Sequence, residues 1–400
     1  MKILILSFYY QPDLCAGSFR CTALVEQLKQ YAGDNIEIDV ISTLPNRYSS
    51  FAMNAEEYEK QDSVRIRRIA LPKHYSGMMD QAKVFLHFAK EVRTMVQSEE
   101  YTLVFATSSR LMTATLGAWI ARKKQAKLYL DIRDIFVDTI GDILSKKLSF
   151  ILKPIFSCVE RWTYKQASHV NLVSLGFKPY FTKKCPDKPL SFFTNGIDNE
   201  FINAAKEQQP SDLKTRIPLT AVYAGNIGEG QGLHLIIPTL AKQLEGRVHF
   251  KILGDGGKLN KLKKALSTFE CANVELLPPV KRASLIETYN EADILFLHLN
   301  NHEAFKKVLP SKLFEYAALG KPIWAGVAGY PAEFIKTEIS NAEVFAPGDS
   351  IGAEEALNKL IIATTIRSSF IEKYSRPKIM QQMGKDILSL IEECNTMVVP

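Results

Sequence analysis

Short apolar runs alternate along the chain with longer segments whose apolar positions recur at helical spacing. Lys2 to Ser7 reads as a buried strand, a Gly/Pro-bearing loop follows, and a helical pattern near Arg20 to Tyr31 leads to a second strand at Ile36 to Ile41. Ser42 to Gly77 is irregular apart from a strand at Val64 to Ala70, and a helix comes next near Gln81 to Ser98. Leu103 to Thr107, Lys127 to Leu130 and His169 to Val173 then read as short buried strands separated by helices. Parallel strands need a crossover, so this alternation predicts a parallel, doubly wound sheet.

Near Asn195 the pattern breaks. Residues 199–216 are polar, with Gln208, Gln209, Pro210 and Ser211 at their centre, and are expected to form a linker. A second series starts at Leu219 to Tyr223, continues through Val248 to Leu253, Val274 to Leu276 and Ile294 to Leu297, and runs to Pro322 to Ala325. A last helical stretch covers Pro377 to Cys394. The expected organisation is therefore α/β: a first Rossmann-like domain over 1–198, the linker 199–216 and a second Rossmann-like domain over 217–376, with one cleft between them. A chain of 400 residues agrees with this division, being longer than one hydrophobic core usually supports.

Composition narrows the class. A hydrophobic fraction of 46% with 23% charged residues fits an ordinary folded protein. The net charge of +7 is mild for this length and spread along the chain, which does not indicate nucleic-acid binding and stays compatible with nucleotides or acidic lipids. Six cysteines (Cys15, Cys21, Cys158, Cys185, Cys271 and Cys394) lack C-x-x-C spacing, so they read as reduced thiols of a cytosolic protein. The apolar start is too short for a signal peptide, and no stretch reaches the roughly 20 apolar residues that cross a bilayer. A soluble protein, at most bound to a membrane surface, is expected.

Glycines mark the candidate chemistry. The loop from Pro12 to Ser18, with Gly17 and Ser18 before Arg20, lets backbone approach a ligand at the start of a helix; an ordinary β-to-α turn has the same composition. Tyr223-Ala224-Gly225-Asn226-Ile227-Gly228-Glu229-Gly230-Gln231-Gly232 sets four glycines between a strand and a helix, where a phosphate-cradling nest is expected. Gly254-Asp255-Gly256-Gly257 follows the next strand, so two carboxyl-terminal strand ends carry glycine loops toward one crevice.

The stretch Pro310-Ser311-Lys312-Leu313-Phe314-Glu315-Tyr316, ahead of Gly320-Lys321-Pro322, places polar groups along one edge of a helix that Pro310 starts. Glu315 suits two vicinal ribose hydroxyls, because an ionised carboxylate only accepts hydrogen bonds, and Lys312 could neutralise a phosphate. A solvated helix with an incidental Glu–Lys pair reads the same way. Arg133 and Asp134 could equally be an ion pair at a strand end. His298 and His302 lack the spacing of a metal pair, and no D-x-D stands where a metal-dependent transferase needs it; no catalytic metal is expected. Leu144 to Lys165 mixes Lys146, Lys147, Lys153 and Arg161 with Phe150, Ile151, Leu152 and Phe156, a pattern that suits an anionic membrane surface or core packing alike.

The order of these motifs resembles the family 4 retaining glycosyltransferases of the GT-B fold, and most of all their bacterial O-antigen and capsule branch of N-acetylfucosamine transferases. The likeness is carried by the Pro12 to Arg20 loop, Asp131-Ile132-Arg133-Asp134, Glu160-Arg161-Trp162, Thr194-Asn195-Gly196-Ile197-Asp198, the Gly225 and Gly254 loops and the Pro310 to Glu315 helix. It implies that Glu315 holds the donor ribose, that Gly225, Asn226, Gly254, Asp255 and Gly256 line the nucleotide site, and that Pro310, Ser311, Lys312 and Leu313 sit near the diphosphate. Gly17 and Ser18 would approach from the first domain, Arg133 and Asp134 would stand where many relatives touch the donor sugar with a histidine, and 377–400 would cross back onto the first domain.

Two departures stand out. Lys307 occupies the position of the first of two glutamates eight residues apart, and Asn226 and Gln231 occupy the glycine loop where relatives grip the diphosphate with arginine and lysine. Lys312 or Arg20 would then supply the positive charge. The reaction so implied moves a sugar from a nucleoside diphosphate, as a UDP-linked N-acetylated or deoxy sugar, to a saccharide or polyprenyl-diphosphate-linked acceptor. Configuration is retained, the leaving phosphate helps deprotonate the acceptor, and closure excludes water. The enzyme would work in the cytoplasm or at the inner face of the cytoplasmic membrane. A non-hydrolysing nucleotide-sugar epimerase of similar fold and a non-catalytic sugar-nucleotide-binding subunit are the alternatives.

Overall fold

The computed structural model describes residues 1–32, 35–46, 54–72, 78–108, 111–138, 146–210 and 217–396. Leu144, residues 211–216 of the expected linker and the side chains of Lys146 and Lys147 lie outside the described residues. The chain divides into two compact units, Met1–Asn195 with Arg376–Pro400, and Gly196–Ser375.

The first unit is built on an eight-stranded sheet, in spatial order β3 (Tyr58–Gln61), β4 (Val64–Ile69), β2 (Glu37–Thr43), β1 (Lys2–Leu6), β5 (Leu103–Thr107), β6 (Lys127–Ile132), β7 (His169–Leu172) and β8 (Leu190–Ser191). β1 (Lys2–Leu6) lies at its centre, parallel to β2 (Glu37–Thr43) and β5 (Leu103–Thr107). Ile3, Leu4, Ile5 and Leu6 are all fully buried, as expected of a strand covered on both faces rather than one. Helix α1 (Ala16–Ala32) follows β1, and the last helix, α14 (Arg376–Thr396), packs against α1. Two edge strands carry no apolar signal. β3 (Tyr58–Gln61) is polar and runs antiparallel to β4 (Val64–Ile69), and β8 is only Leu190–Ser191.

The second unit has six parallel strands in the order β11 (Val274–Leu277), β10 (Val248–Leu253), β9 (Leu219–Ala224), β12 (Ile294–His298), β13 (Ile323–Gly326) and β14 (Ala342–Phe345). Counted within the unit this is 3-2-1-4-5-6, the dinucleotide-fold order, which reverses direction between β9 (Leu219–Ala224) and β12 (Ile294–His298). Trp324 on β13 (Ile323–Gly326) is fully buried at the core, and its indole N–H donates to Ala353 O at 2.9 Å, which satisfies the one polar atom it carries.

Residues 199–206, expected in the linker, form helix α6 (Asn199–Lys206) of the second unit. Phe201 is its fully buried anchor; one aromatic in a polar segment gives no helical period to read. Ile197 N donates to Tyr374 O at 2.8 Å, so the entering and leaving strands of the second unit run side by side.

Candidate functional site

The strand order places a ligand crevice of the second unit at the carboxyl ends of β9 and its neighbours. Both glycine loops are there, and their backbones interlock. Gly225 N donates to Leu253 O at 2.9 Å, Ile227 N to Asp255 O at 2.9 Å and Lys258 N to Ile227 O at 2.9 Å. The close approach requires glycine: at Gly254 (φ +149°) an added Cβ would lie 1.8 Å from Gly225 O, and at Gly256 (φ +158°) 2.5 Å from Ile227 O. Asp255 accepts from Gly256 N at 2.7 Å, which shapes the second loop from within.

Asn226 and Gln231 hold the first loop together. Asn226 Nδ2 donates to Gln231 Oε1 at 2.8 Å, Gly228 N donates to the same oxygen at 3.2 Å, and Tyr223 Oη donates to Asn226 O at 2.6 Å. The side-chain amide of Asn226 is thus engaged inside its own loop. An ion pair between Lys258 and Glu229, at 2.5 Å, joins the two loops and holds the Glu229 carboxyl below its usual range. His298, at the end of β12, adds a third tie through Gln231 O at 2.7 Å and Gly348 N at 3.0 Å. Both ring nitrogens are therefore committed to backbone groups.

Helix α10 (Lys312–Ala318) brings the other candidates to this crevice. Lys312 Nζ lies 3.9 Å from the centre of the Tyr223 ring and 2.5 Å from the position of a Cβ on Gly225. No carboxylate of the described residues lies within 4.0 Å of it, and burial pulls its pKa down from 10.5 to about 7. Glu315, one turn on, points to the same side as Lys312 but is ion-paired at 3.9 Å with Arg282 instead. Pro310 and Ser311 form the turn before the helix, with their carbonyls accepting from Leu313 N and Phe314 N at 3.1 Å. Leu313 departs from its expected place. Its side chain is fully buried in the core and its N–H is already bonded, so it packs the helix rather than lining the site.

In the first unit, Arg20 is sequestered. It is 2% exposed, grips Asp131 in a bidentate pair at 2.9 Å for each bond, and donates to Thr194 O at 2.7 Å and Phe193 O at 2.8 Å. Asn171 donates to the same Asp131 carboxylate at 2.8 Å. These bonds turn the guanidinium inward, so Arg20 fastens the strand ends and is not the cation of a diphosphate site. Arg133 lies over Gly17 instead, with its NH1 2.8 Å from where a Cβ would stand. Its Nε is buried with no partner among the described residues, as is Ser18 Oγ, and burial lowers the arginine pKa. Asp134 is exposed. Gly17, Ser18 and Arg133 are thus brought together, while the Arg20 guanidinium is taken up by its own buried bonds and Asp134 stands exposed.

Sequence reasoning passed over three residues of the second unit: Tyr223, Arg282 and His298 as a tether. Arg282 had a faint signal, a cation at a helix start just after Pro278-Pro279; a histidine ending a buried strand has none.

Comparison with known proteins follows the same division. Residues 205–376 match the family model described as Glycosyl transferases group 1. No curated protein sequence matches the chain. Among solved structures it is similar to the Anabaena protein Alr3699/HepE in complex with UDP, at TM-score 0.63 and 16% identity, over 97% of this chain and 100% of that one. WaaG, a glycosyltransferase involved in lipopolysaccharide biosynthesis, superposes at TM-score 0.62 and 14% identity over the full length of both chains. The α,α-trehalose 6-phosphate synthase of Burkholderia multivorans does so at 0.67 and 9% identity, over 100% and 98%. Residues 205–376 thus match the group 1 glycosyl transferase family model, within a chain of GT-B fold.

Proposed function

We propose that the chain is a retaining glycosyltransferase that takes a UDP-linked N-acetylated or deoxy sugar and transfers it to a saccharide or polyprenyl-diphosphate-linked acceptor of bacterial surface polysaccharide synthesis. One observation carries the reading: Lys312, with no carboxylate within 4.0 Å among the described residues, is held over Gly225 of the interlocked glycine loops, one turn from Glu315. The crevice so formed suits a nucleoside diphosphate, with backbone amides and Lys312 facing the phosphates and Glu315 accepting from the ribose hydroxyls. The departing diphosphate gains charge in the transition state, and these fixed groups would lower the barrier without a metal ion. The leaving phosphate would take the acceptor proton.

The second unit would hold the donor and the first the acceptor, with Gly17, Ser18 and Arg133 as the sugar-facing group. Work at the inner face of the cytoplasmic membrane is supported by helix α4 (Lys146–Gln166), whose Phe150, Ile151 and Ile155 are exposed beside Lys153, Arg161 and Lys165. Its one acid, Glu160, is buried and bonded to Tyr164 and Tyr180. Among the described residues no helix is long and apolar enough to cross a membrane.

The test is a melting-temperature screen against UDP, GDP, dTDP and CMP, followed by turnover with the sugars of whichever nucleotide stabilises the protein. A selective shift with UDP and sugar transfer to an acceptor are expected. Stabilisation without transfer to any lipid-linked or free saccharide would sink the catalytic reading.

A further inference from the structure

Helices α2 (Met78–Met95) and α3 (Leu111–Lys124) of the first unit pack against each other, and a cavity of about 560 Å³ opens between their carboxyl-terminal halves. Trp119 of α3 lines it. The Arg93 guanidinium of α2 and the Lys123 ammonium of α3 each stand 5.2 Å from the centre of that indole ring. Lys90, Lys124 and Leu86 line the same cavity, and Leu86 is 68% exposed. Among the described residues no carboxylate pairs with Lys90, Arg93 or Lys123, and the Trp119 indole N–H meets no acceptor. Lys124 is engaged: it donates to Gln97 O at 2.9 Å, with Glu100 3.8 Å away. Helix α3 itself holds no acidic residue. Cations favour the carboxyl ends of helices, and Arg93, Lys123 and Lys124 occupy last turns. That preference accounts for neither Lys90, which precedes the last turn, nor a cavity lined by an indole with an unused donor.

We propose that this cavity binds the phosphate headgroup of an anionic phospholipid, and that the face made by α2, α3 and α4 is the one that meets the membrane. The inference rests on the reading that the chain works at a membrane surface, and gives that surface a lipid-selective contact.

Three unpaired cations around one cavity repel each other, and an anion placed among them offsets the repulsion. A phosphodiester accepts from a guanidinium fork, from ammonium groups and from an indole N–H together. The apolar groups decide which kind of anion it is. A free phosphate gains nothing from Leu86 or the Trp119 ring, whereas the glycerol and acyl carbons beside a lipid phosphate would cover both. An indole, apolar in body with one polar N–H, suits the boundary between hydrocarbon and headgroups. Placement in the fold agrees. The steps from β5 to β6 through α3 and from β6 to β7 through α4 run in the same direction across the sheet, so both helices cover one face. Thr115 Oγ1 of α3 lies 2.9 Å from Thr163 Oγ1 of α4, and α4 exposes Phe150, Ile151 and Ile155 on that face. Apolar ridge and basic cavity thus share the surface that a membrane would cover.

The experiment is co-sedimentation of the full chain with vesicles of equal parts phosphatidylcholine and phosphatidylglycerol, and with vesicles of phosphatidylcholine alone. The wild type should prefer the anionic vesicles. Arg93→Gln with Lys123→Gln should weaken that binding on the order of tenfold or more without lowering the melting temperature, since both side chains are exposed. Trp119→Phe, which keeps a ring and removes the N–H, should lose part of the preference. Lys83→Gln with Arg122→Gln removes the same charge from the same helices outside the cavity, and should weaken binding by about threefold or less. Equal losses in the two charge pairs would overturn the site in favour of diffuse attraction. Unchanged vesicle binding in the cavity pair, with glycerol 3-phosphate raising the melting temperature of the wild type alone, would replace the lipid by a soluble phosphate and overturn the proposal. Binding lost in Phe150→Ser with Ile151→Ser but intact in the cavity pair would overturn the headgroup site and leave the membrane reading standing. A wild type that ignores anionic vesicles would overturn both.

Discussion

Lys312 rests on the face of Tyr223, its ammonium 3.9 Å from the ring centre and 2.5 Å from where a Cβ at position 225 would stand. The ring offers a weak electrostatic partner and the loop offers none. A cation so held is unfavourable in the free protein, and an arriving anion would offset that cost.

The first prediction concerns that trade. Lys312 titrates near pH 7 in the fold and near 10.5 when unfolded, so the unfolded chain binds more protons between and the fold is penalised below pH 10.5, fully so below 7. Lys312→Met should therefore melt higher than wild type at pH 6, by about 1–3 kcal/mol after allowing for partial solvent screening, with the gain fading toward pH 10.5. Its turnover should fall in the same preparation. UDP affinity of the wild type should weaken as pH rises above 7, and that of the variant should stay flat. A variant that is less stable at pH 6, or fully active, contradicts the assignment.

Interlocked backbones make a second contrast. Gly254→Ala would place a methyl 1.8 Å from Gly225 O in a left-handed conformation, and Gly257→Ala meets nothing within 4 Å. The first should cost on the order of 3 kcal/mol or more and abolish nucleotide binding, and the second should cost less than about 1 kcal/mol. Chemical denaturation of the two variants decides it; equal losses would mean that the loops do not approach each other as described.

The buried pair in the first unit gives a third. Arg20→Leu leaves Asp131 charged, 1% exposed and without its bidentate partner, a change that typically costs about 3–5 kcal/mol. A folded variant of normal stability but impaired donor binding would restore Arg20 to the site from which its hydrogen bonds exclude it.

Sequence reading reached the strands that are buried on both faces, because β1, β5, β9 and β12 are continuous apolar runs that no other element explains. It missed β3, whose Tyr-Glu-Lys-Gln has no alternation, and it read α6 as linker, since Phe201 alone anchors that helix. The close approach of the two glycine loops was legible, because little else needs so many glycines there. The partners of charged side chains were not. Arg20 and Lys312 look alike on the page, yet one meets a carboxylate on a strand 111 residues away and the other meets an aromatic ring. Only tertiary contact separates a structural cation from one left for a ligand, and for the same reason Arg282 could not be joined to Glu315 beforehand.

His298 yields the last prediction. Its ring is 1% exposed, parallel to Phe296 at 6.4 Å, and bonded at both nitrogens. Because Gly348 N–H must donate, Nε2 is the unprotonated acceptor and Nδ1–H donates to Gln231 O; a second ring proton would face the Gly348 N–H directly. Burial accordingly pushes the pKa down from 6.5 to about 4. Above pH 6.5 folded and unfolded states are both neutral here and the full stability is present. As pH falls, the unfolded chain takes the proton first, so stability drops by up to about 3 kcal/mol on reaching pH 4. His298→Leu removes the titration and the two tethers together. It should be less stable than wild type at pH 7.5, bind UDP more weakly because Gln231 loses its hold on the loop, and show a shallower decline between pH 6.5 and 4. Parallel melting curves for the two proteins across that range would mean that the histidine is not held neutral by these contacts.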